Sequence, residues 1–401
     1  MNHSDPVAAL EIGTTNTVIA IGEPLGGGRI KVAAMDSIAS TGVRKSQIVD
    51  VSQARYSVES VLKRLADHAD YSIGQAYLAV SGPQLRTKQV VAQVPVNGGM
   101  VHDEDISEVN ERSYDAGLPK DCHPIEISNI CYKLDDIDSI TSPKNMSGRF
   151  LSQRSLCIYG SSQRIQDAFT AARGAKLEIP DDQVAFAGSC AAAAVLTAQN
   201  KKDGALSIDL GGGSTSFTVW VNGKLVQAGV LGVGGDHVTN DIHEAFSVSR
   251  AQAEQLKMLS SAIISQDDAT HRITVPDPMP GFKPATISRR ALNTVVNARL
   301  QELFTIIRAK VDEENRLHLL NAGVFLTGGG SALAGTVELA ASVFGCGVRV
   351  GSLLPEIEGL EEHPHPAACA VVAGLLLTAQ QQSEPSASLF DSLKNFFGLR
   401  K

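Results

Sequence analysis

The chain has 401 residues, 43% apolar and 19% charged, with 36 glycines and 16 prolines. That apolar content excludes intrinsic disorder, and the ordinary glycine and proline share excludes a collagen-like or low-complexity chain. The net charge of −8 argues against a general nucleic-acid binder, which needs clustered lysine and arginine, while leaving room for an anionic ligand held locally.

The polar start, Met1 to Pro6, has neither the charged nor the apolar region of a signal peptide, and no apolar run approaches the ~20 residues of a spanning helix, so the chain reads as cytoplasmic. Val7 to Ile21 reads as an apolar strand, a polar Gly/Thr turn and a second apolar strand, and Gly26 to Gly28 as a hairpin tip. Ser57 to Ala69 carries apolar residues at helical spacing, and Ala76 to Val80 is a buried strand ending at Ser81-Gly82-Pro83. From about Leu85 to Gly160 the pattern turns β-rich and polar around one acidic helix start at Asp103 to Asp105, as in an inserted subdomain. Phe186 to Ala198 is a helix of small residues, too apolar to face water on any side. Ala205 to Val221 then repeats the first hairpin, with Asp209 matching Glu11 and Gly211 matching Gly13. A mostly helical insert follows from about Asp241 to Glu314, with a proline-broken extended stretch from Thr270 to Pro284 and a long helix from Ser288 to Val311. The strand Val324 to Thr327 runs into Gly328-Gly329-Gly330-Ser331 and a helix from about Leu333 to Phe344. Ala367 to Ala379 echoes the small-residue helix, Gln380 to Ala387 is a polar spacer, and Ser388 to Lys401 begins a new helix. The two echoes predict two α/β lobes of related topology. Six scattered cysteines without a Cys-x-x-Cys pair predict reduced, mostly buried thiols.

An acid two residues before a glycine at a sharp turn does two jobs that phosphate chemistry needs. Glycines let backbone N–H groups approach oxygens, and neighbouring hydroxyls add donors. Gly13, Thr14, Thr15 and Asn16 are placed to cradle one end of a polyphosphate, and Gly211, Gly212, Gly213, Ser214 and Thr215 the other. Glu11 and Asp209 are placed to hold Mg²⁺ through water. The strand and glycines ending at Ser331, followed by a helix, form an anion or adenosine platform. A Walker loop is excluded because Lys45-Ser46 follows Arg44 rather than glycine, and His363-Pro364-His365-Pro366 reads as a surface loop rather than a metal site. Near the C-terminus Leu389, Phe390, Leu393, Phe396, Phe397 and Leu399 fall close to one helical face, with Lys394, Arg400 and Lys401 at its margin or end, the pattern of an amphipathic helix lying on anionic lipid.

The segments Glu11 to Thr14 (EIGT), Asp209 to Thr215 (DLGGGST) and Phe325 to Ser331 (FLTGGGS) resemble the actin, sugar-kinase and heat-shock-chaperone ATPase superfamily. Gly42 to Ser46 (GVRKS), Tyr77 to Gly82 (YLAVSG), Met146 to Leu151 (MSGRFL) and Gly234 to Ile242 (GGDHVTNDI), with the amphipathic C-terminus, resemble the bacterial cell-division FtsA family over nearly the whole chain; His123 to Leu134 departs from that family's usual pattern. The resemblance implies an α/β, actin-like two-lobed ATPase fold. Its first lobe core would be residues 6–84 and 163–202, its inserted subdomain 85–162, its second lobe core 203–240 and 315–379, and its helical subdomain 241–314. A linker, 380–387, and a membrane-targeting helix, 388–401, would follow. It further implies that Gly234, Gly235 and Asp236, with Thr239 and Asp241, start a helix whose N–H groups lie near the phosphates of ATP. Glu254 and Lys257 would reach the ribose, and Gly329, Gly330 and Ser331 the adenosine side. The helical subdomain would bind the tail of the tubulin-like division protein FtsZ, with Arg290 and Arg299 pairing its acidic residues. The implied function is a peripheral protein on the inner face of the cell membrane that forms filaments with ATP, anchors the FtsZ ring, and meets other division proteins through the inserted subdomain. Between Phe186 and Thr197 no acid or Gln is present to orient a water, which predicts slow ATP turnover. The alternative is a sugar- or acetate-type kinase of the same superfamily, which would need an acidic base facing a substrate pocket and have no use for the tail.

Overall fold

In the computed structural model, which describes residues 5–69, 71–115, 118–276 and 285–383, the first apolar run forms β1 (Val7–Ile12) and folds back onto β2 (Asn16–Gly26). The chain turns at Gly27-Gly28 into β3 (Arg29–Ala39), makes a small hairpin of β4 (Val43–Arg44) and β5 (Gln47–Ile48), and enters α1 (Val51–His68). Asp50 caps α1 by accepting the Gln53 N–H at 3.0 Å, which starts the helix earlier than the apolar spacing indicated. After β6 (Tyr77–Val80) come β7 (Arg86–Pro95), α2 (Asp103–Asp115), β8 (Cys122–Leu134), β9 (Ile137–Ile140) and β10 (Phe150–Ser161). These last four strands form an antiparallel sheet in the order β7-β10-β8-β9, closed over a core of Val94, Val101, Val109, Leu134 and Leu151. The first half ends with α3 (Ser162–Gly174), β11 (Val184–Phe186), α4 (Ala187–Val195) and α5 (Ala198–Asp203).

The second half repeats the plan with β12 (Ala205–Leu210), β13 (Thr215–Val221) and β14 (Lys224–Leu231). Then follow α6 (Gly235–Phe246), α7 (Arg250–Met258), β15 (Arg272–Thr274), β16 (Thr286–Ser288) and α8 (Arg289–Glu313). The described chain closes with β17 (Gly323–Thr327), α9 (Thr336–Phe344), β18 (Val348–Val350), β19 (Ile357–Glu358) and α10 (Ala370–Ser383). The first sheet runs β11-β6-β1-β2-β3-β19 and the second β14-β13-β12-β17-β18. In both, an antiparallel meander is extended by parallel strands on the far side of the acid-bearing strand, so Glu11 lies opposite Val18 and Ala79, and Asp209 opposite Ser216 and Thr327.

Three details differ from the sequence reading. Residues 315–379 were expected in the second lobe, yet β19 pairs with β3, and α10 packs on β1, β2, β3 and β6. The apolar surface of α10 closes the first sheet, while α4 lies against β12 and β13 as well as α10, so the small-residue helices interlock the two lobes. At their crossing a Cβ on Gly374 would fall on the Cys190 carbonyl oxygen, a close approach that only glycine allows. α10 also continues through residues 380–383, expected to be linker, because nothing in Gln380 to Ser383 breaks a helix. The helix expected from Leu333 begins at Thr336, because Gly329–Ala332 form a 3₁₀ turn and Gly335 is left-handed. The amphipathic segment 388–401, with Leu389, Phe390, Leu393, Lys394, Phe396, Phe397, Leu399, Arg400 and Lys401, lies outside the described residues. Among the described residues no helix is long and apolar enough to cross a membrane. All six cysteines are free, and burial pushes the Cys157 thiol up to about 12 and Cys369 up to about 11.

Candidate phosphate-binding cleft

The two hairpin tips have the same geometry: the Gly13 N–H donates to Asn16 O at 3.0 Å, and the Gly211 N–H to Ser214 O at 3.1 Å. They meet across the lobes. A Cβ on Gly212 would land on the Thr15 hydroxyl and one on Gly213 on the Thr14 hydroxyl, so bare backbone is what lets the tips approach. Between them lie the two acids. Burial, and then the facing Asp209, raise the Glu11 carboxyl to about 8, while burial raises Asp209 to about 6 against the Thr327 hydroxyl that donates to its Oδ1 at 3.1 Å. Two desolvated carboxylates that resist joint ionisation suit a divalent cation, which would neutralise both. Among the described residues no group of three or more His, Cys, Asp or Glu could hold a metal, so such a cation would complete its shell with water and ligand oxygens, as Mg²⁺ prefers.

The remaining predicted residues are brought close, with corrections to their roles. The first N–H groups of α6 were expected to face phosphates, but Gly235 N donates to Gly211 O at 3.0 Å and Asp236 N to Gly212 O at 2.8 Å. They hold the second hairpin in place, and only the helix dipole remains directed at the cleft. The Thr215 hydroxyl is fully buried and donates to Val233 O at 2.8 Å, so it leaves the cradle. Ser331 is likewise buried, its hydroxyl donating to Gly328 O at 2.7 Å, whereas Gly329 faces open space. Thr15 and Asn16 are exposed at the first tip. Glu254 and Lys257 converge on α6: Lys257 Nζ lies 2.7 Å from Glu254 Oε1 and donates to Thr239 Oγ1 at 3.0 Å, and the Thr239 hydroxyl donates to Glu254 Oε2 at 2.6 Å. Arg299 was expected to meet a partner, but Asp241 occupies it through two hydrogen bonds of 2.6 and 3.0 Å and Glu302 through one of 2.5 Å, because α8 lies along α6. Arg290 is exposed on the first turn of α8.

Sequence reasoning missed several residues at the cleft. Ser46 and Ser81 both approach Ser214, the former at 2.8 Å and the latter at 3.4 Å between hydroxyl oxygens, and Thr327 touches Asp209. An acid of the inserted sheet packs beside α4. Glu126 of β8 lies against Ser189 of α4, and burial lifts it to about 7 despite that hydroxyl and the charge of Lys201. Only the strand periodicity of β8 marked this position, and periodicity does not say which element a side chain meets.

Paired α/β lobes with glycine hairpins meeting over two acids define a protein of the actin-like ATPase fold, and comparison with solved structures agrees. The chain superposes on the PilM-PilN type IV pilus biogenesis complex with a TM-score of 0.65 at 16% identity, covering 94% of this chain and 99% of that one. It superposes on MreB 5 of Spiroplasma citri bound to AMPPNP with a TM-score of 0.53 at 14% identity, covering 98% and 99%. The family model of cell division protein FtsA matches residues 206–373, and that of the SHS2 domain inserted in FtsA matches residues 82–159. Cell division protein FtsA of Pseudomonas aeruginosa is 28% identical over 391 residues, 96% of this chain and 91% of the relative. The chain belongs to the FtsA family.

Proposed function

We propose that the chain is an ATP-binding cell-division protein that assembles into filaments on the inner face of the cell membrane and tethers the FtsZ ring there. The observation that carries the nucleotide reading is the meeting of the two glycine hairpins over Glu11 and Asp209, two acids whose ionisation calls for a cation. Gly13, Thr14, Gly211, Gly212 and Gly213 would hold the phosphates, and Mg²⁺ bound by Glu11 and Asp209 would neutralise the charge on the transferred or retained phosphate. The Thr239-Glu254-Lys257 network would meet the ribose, since it pairs a carboxylate acceptor with an ammonium donor at the base of α6. Turnover would be slow and the nucleotide would act chiefly by favouring the closed pair of lobes. Residues 388–401 would bind lipid weakly one chain at a time, and assembly would multiply that attachment. Arg290, exposed on the helical subdomain, is the remaining choice for an acidic partner tail.

Co-sedimentation with vesicles containing anionic lipid tests the reading. The full chain with Mg²⁺ and ATP should pellet with vesicles and form polymers visible by electron microscopy, and removal of the residues after Ser388 should abolish pelleting while leaving ATP binding intact. Pelleting that survives the truncation, or turnover of many per second, would contradict it.

A further inference from the structure

The β4–β5 hairpin carries an anomaly that the cleft explains. Val43 pairs with Ile48 and Arg44 with Gln47, leaving Lys45 and Ser46 as a two-residue loop. Both have positive φ, 50° and 55°. Two consecutive left-handed residues in a two-residue hairpin are the pattern that Asn-Gly or Asp-Gly ordinarily fills, and side chains such as Lys and Ser are disfavoured there. A strained turn persists where its surroundings over-determine it. Here they do. The Ser46 N–H donates to Thr14 Oγ1 at 2.6 Å, and the Ser46 hydroxyl lies 3.4 Å from the Thr14 hydroxyl and 2.8 Å from the Ser214 hydroxyl. One serine is thereby tied to both glycine hairpins, one from each lobe.

Lys45 sits beside this junction. Its Cα is 2.8 Å from where a Cβ of Gly213 would stand, and its stem passes Gly232 of the second lobe. It is exposed and makes no hydrogen bond or ion pair among the described residues. Its charge reaches His237, whose ring is held below its ordinary range by burial and then by Lys45 and Arg299, against the opposing pull of Asp236 and Asp241. A cation carried on a strained turn where the two glycine hairpins meet, with no ion pair among the described residues, suits an anion held between the lobes.

We propose that the Lys45-Ser46 turn reads the terminal phosphate of a bound nucleoside triphosphate, Lys45 supplying the charge and Ser46 the hydroxyl link to both hairpins. The inference rests on the reading of the cleft as a nucleotide site. A diphosphate leaves Lys45 unengaged, so the turn sets a preference for triphosphate and couples its presence to contact between the lobes.

The test compares dissociation constants for ATP and ADP, with Mg²⁺, in the full chain and in Lys45→Asn, Lys45→Arg and Ser46→Ala. Asn accepts the left-handed conformation, so Lys45→Asn removes the charge without straining the turn, and its nucleotide-free melting temperature should equal or exceed that of the parent. Lys45→Asn should bind ATP about tenfold or more weakly and ADP within about twofold of the parent, and Lys45→Arg should retain most of the ATP affinity. Ser46→Ala should also lose more ATP than ADP affinity. Equal losses for ATP and ADP in Lys45→Asn, or no loss, would overturn the assignment. A parent chain that binds neither nucleotide would overturn the cleft reading itself, a result distinct from either.

Discussion

Replacing Glu11 with Gln probes the electrostatics of the cleft. Burial, reinforced by Asp209, raises the Glu11 carboxyl from 4.5 to about 8. The native protein therefore keeps this proton at pH values where the unfolded chain has lost it. The contribution to stability is fully present below about pH 4.5, is lost as pH rises toward 8, and changes little beyond. With ~1.4 kcal/mol for each pKa unit, the step from pH 6 to pH 8 costs about 2 kcal/mol through Glu11 alone. Glu126 and Asp209, raised to about 7 and about 6, together add between about 1 and 2 kcal/mol over the same step. Urea unfolding of the full chain without nucleotide or divalent cation should thus show stability falling from pH 6 to pH 8. In Glu11→Gln roughly half of that fall should disappear. Mg²⁺ with ATP should flatten the parent's profile, because a cation favours the ionised pair, and should do so less in the variant. Parallel pH profiles for parent and Glu11→Gln would show that the two acids do not share the buried environment described.

Two further substitutions test the packing. Gly374→Ala places a Cβ on the Cys190 carbonyl where α10 crosses α4, and should destabilise the protein by about 2 kcal/mol, although alanine is the better helix former; a melting temperature equal to the parent's would contradict the interlock of the lobes. Arg299→Ala strips Asp241 of a two-hydrogen-bond partner at a site only 27% and 22% exposed, and should cost about 1 kcal/mol in urea unfolding while leaving ATP affinity within about twofold. A loss of ATP affinity as large as the loss of stability would place Arg299 at the nucleotide rather than between α6 and α8.

How far the sequence reached depends on how local each feature is. The acid, glycine and hydroxyls of β1–β2 and β12–β13 lie within a few residues of one another, and strand alternation and helical spacing are set by near neighbours, so hairpins, small-residue helices and the β-rich insert were legible from the chain alone. Their equivalence across the two halves was legible for the same reason. Contacts between distant segments were not. Pattern alone does not say that the α6 N–H groups are engaged by Gly211 and Gly212, that Arg299 pairs with Asp241 58 residues away, or that Ser46 meets Ser214 168 residues on. Nor does it say that α10, encoded in the second half, buries its apolar surface on the sheet of the first. Each depends on which surfaces close on one another, a choice made by the summed burial of whole elements rather than by any short stretch. The sequence by itself thus determined two hairpins that each set an acid ahead of a glycine turn, whereas the tertiary structure decided which hydroxyls, amides and cations stand beside them.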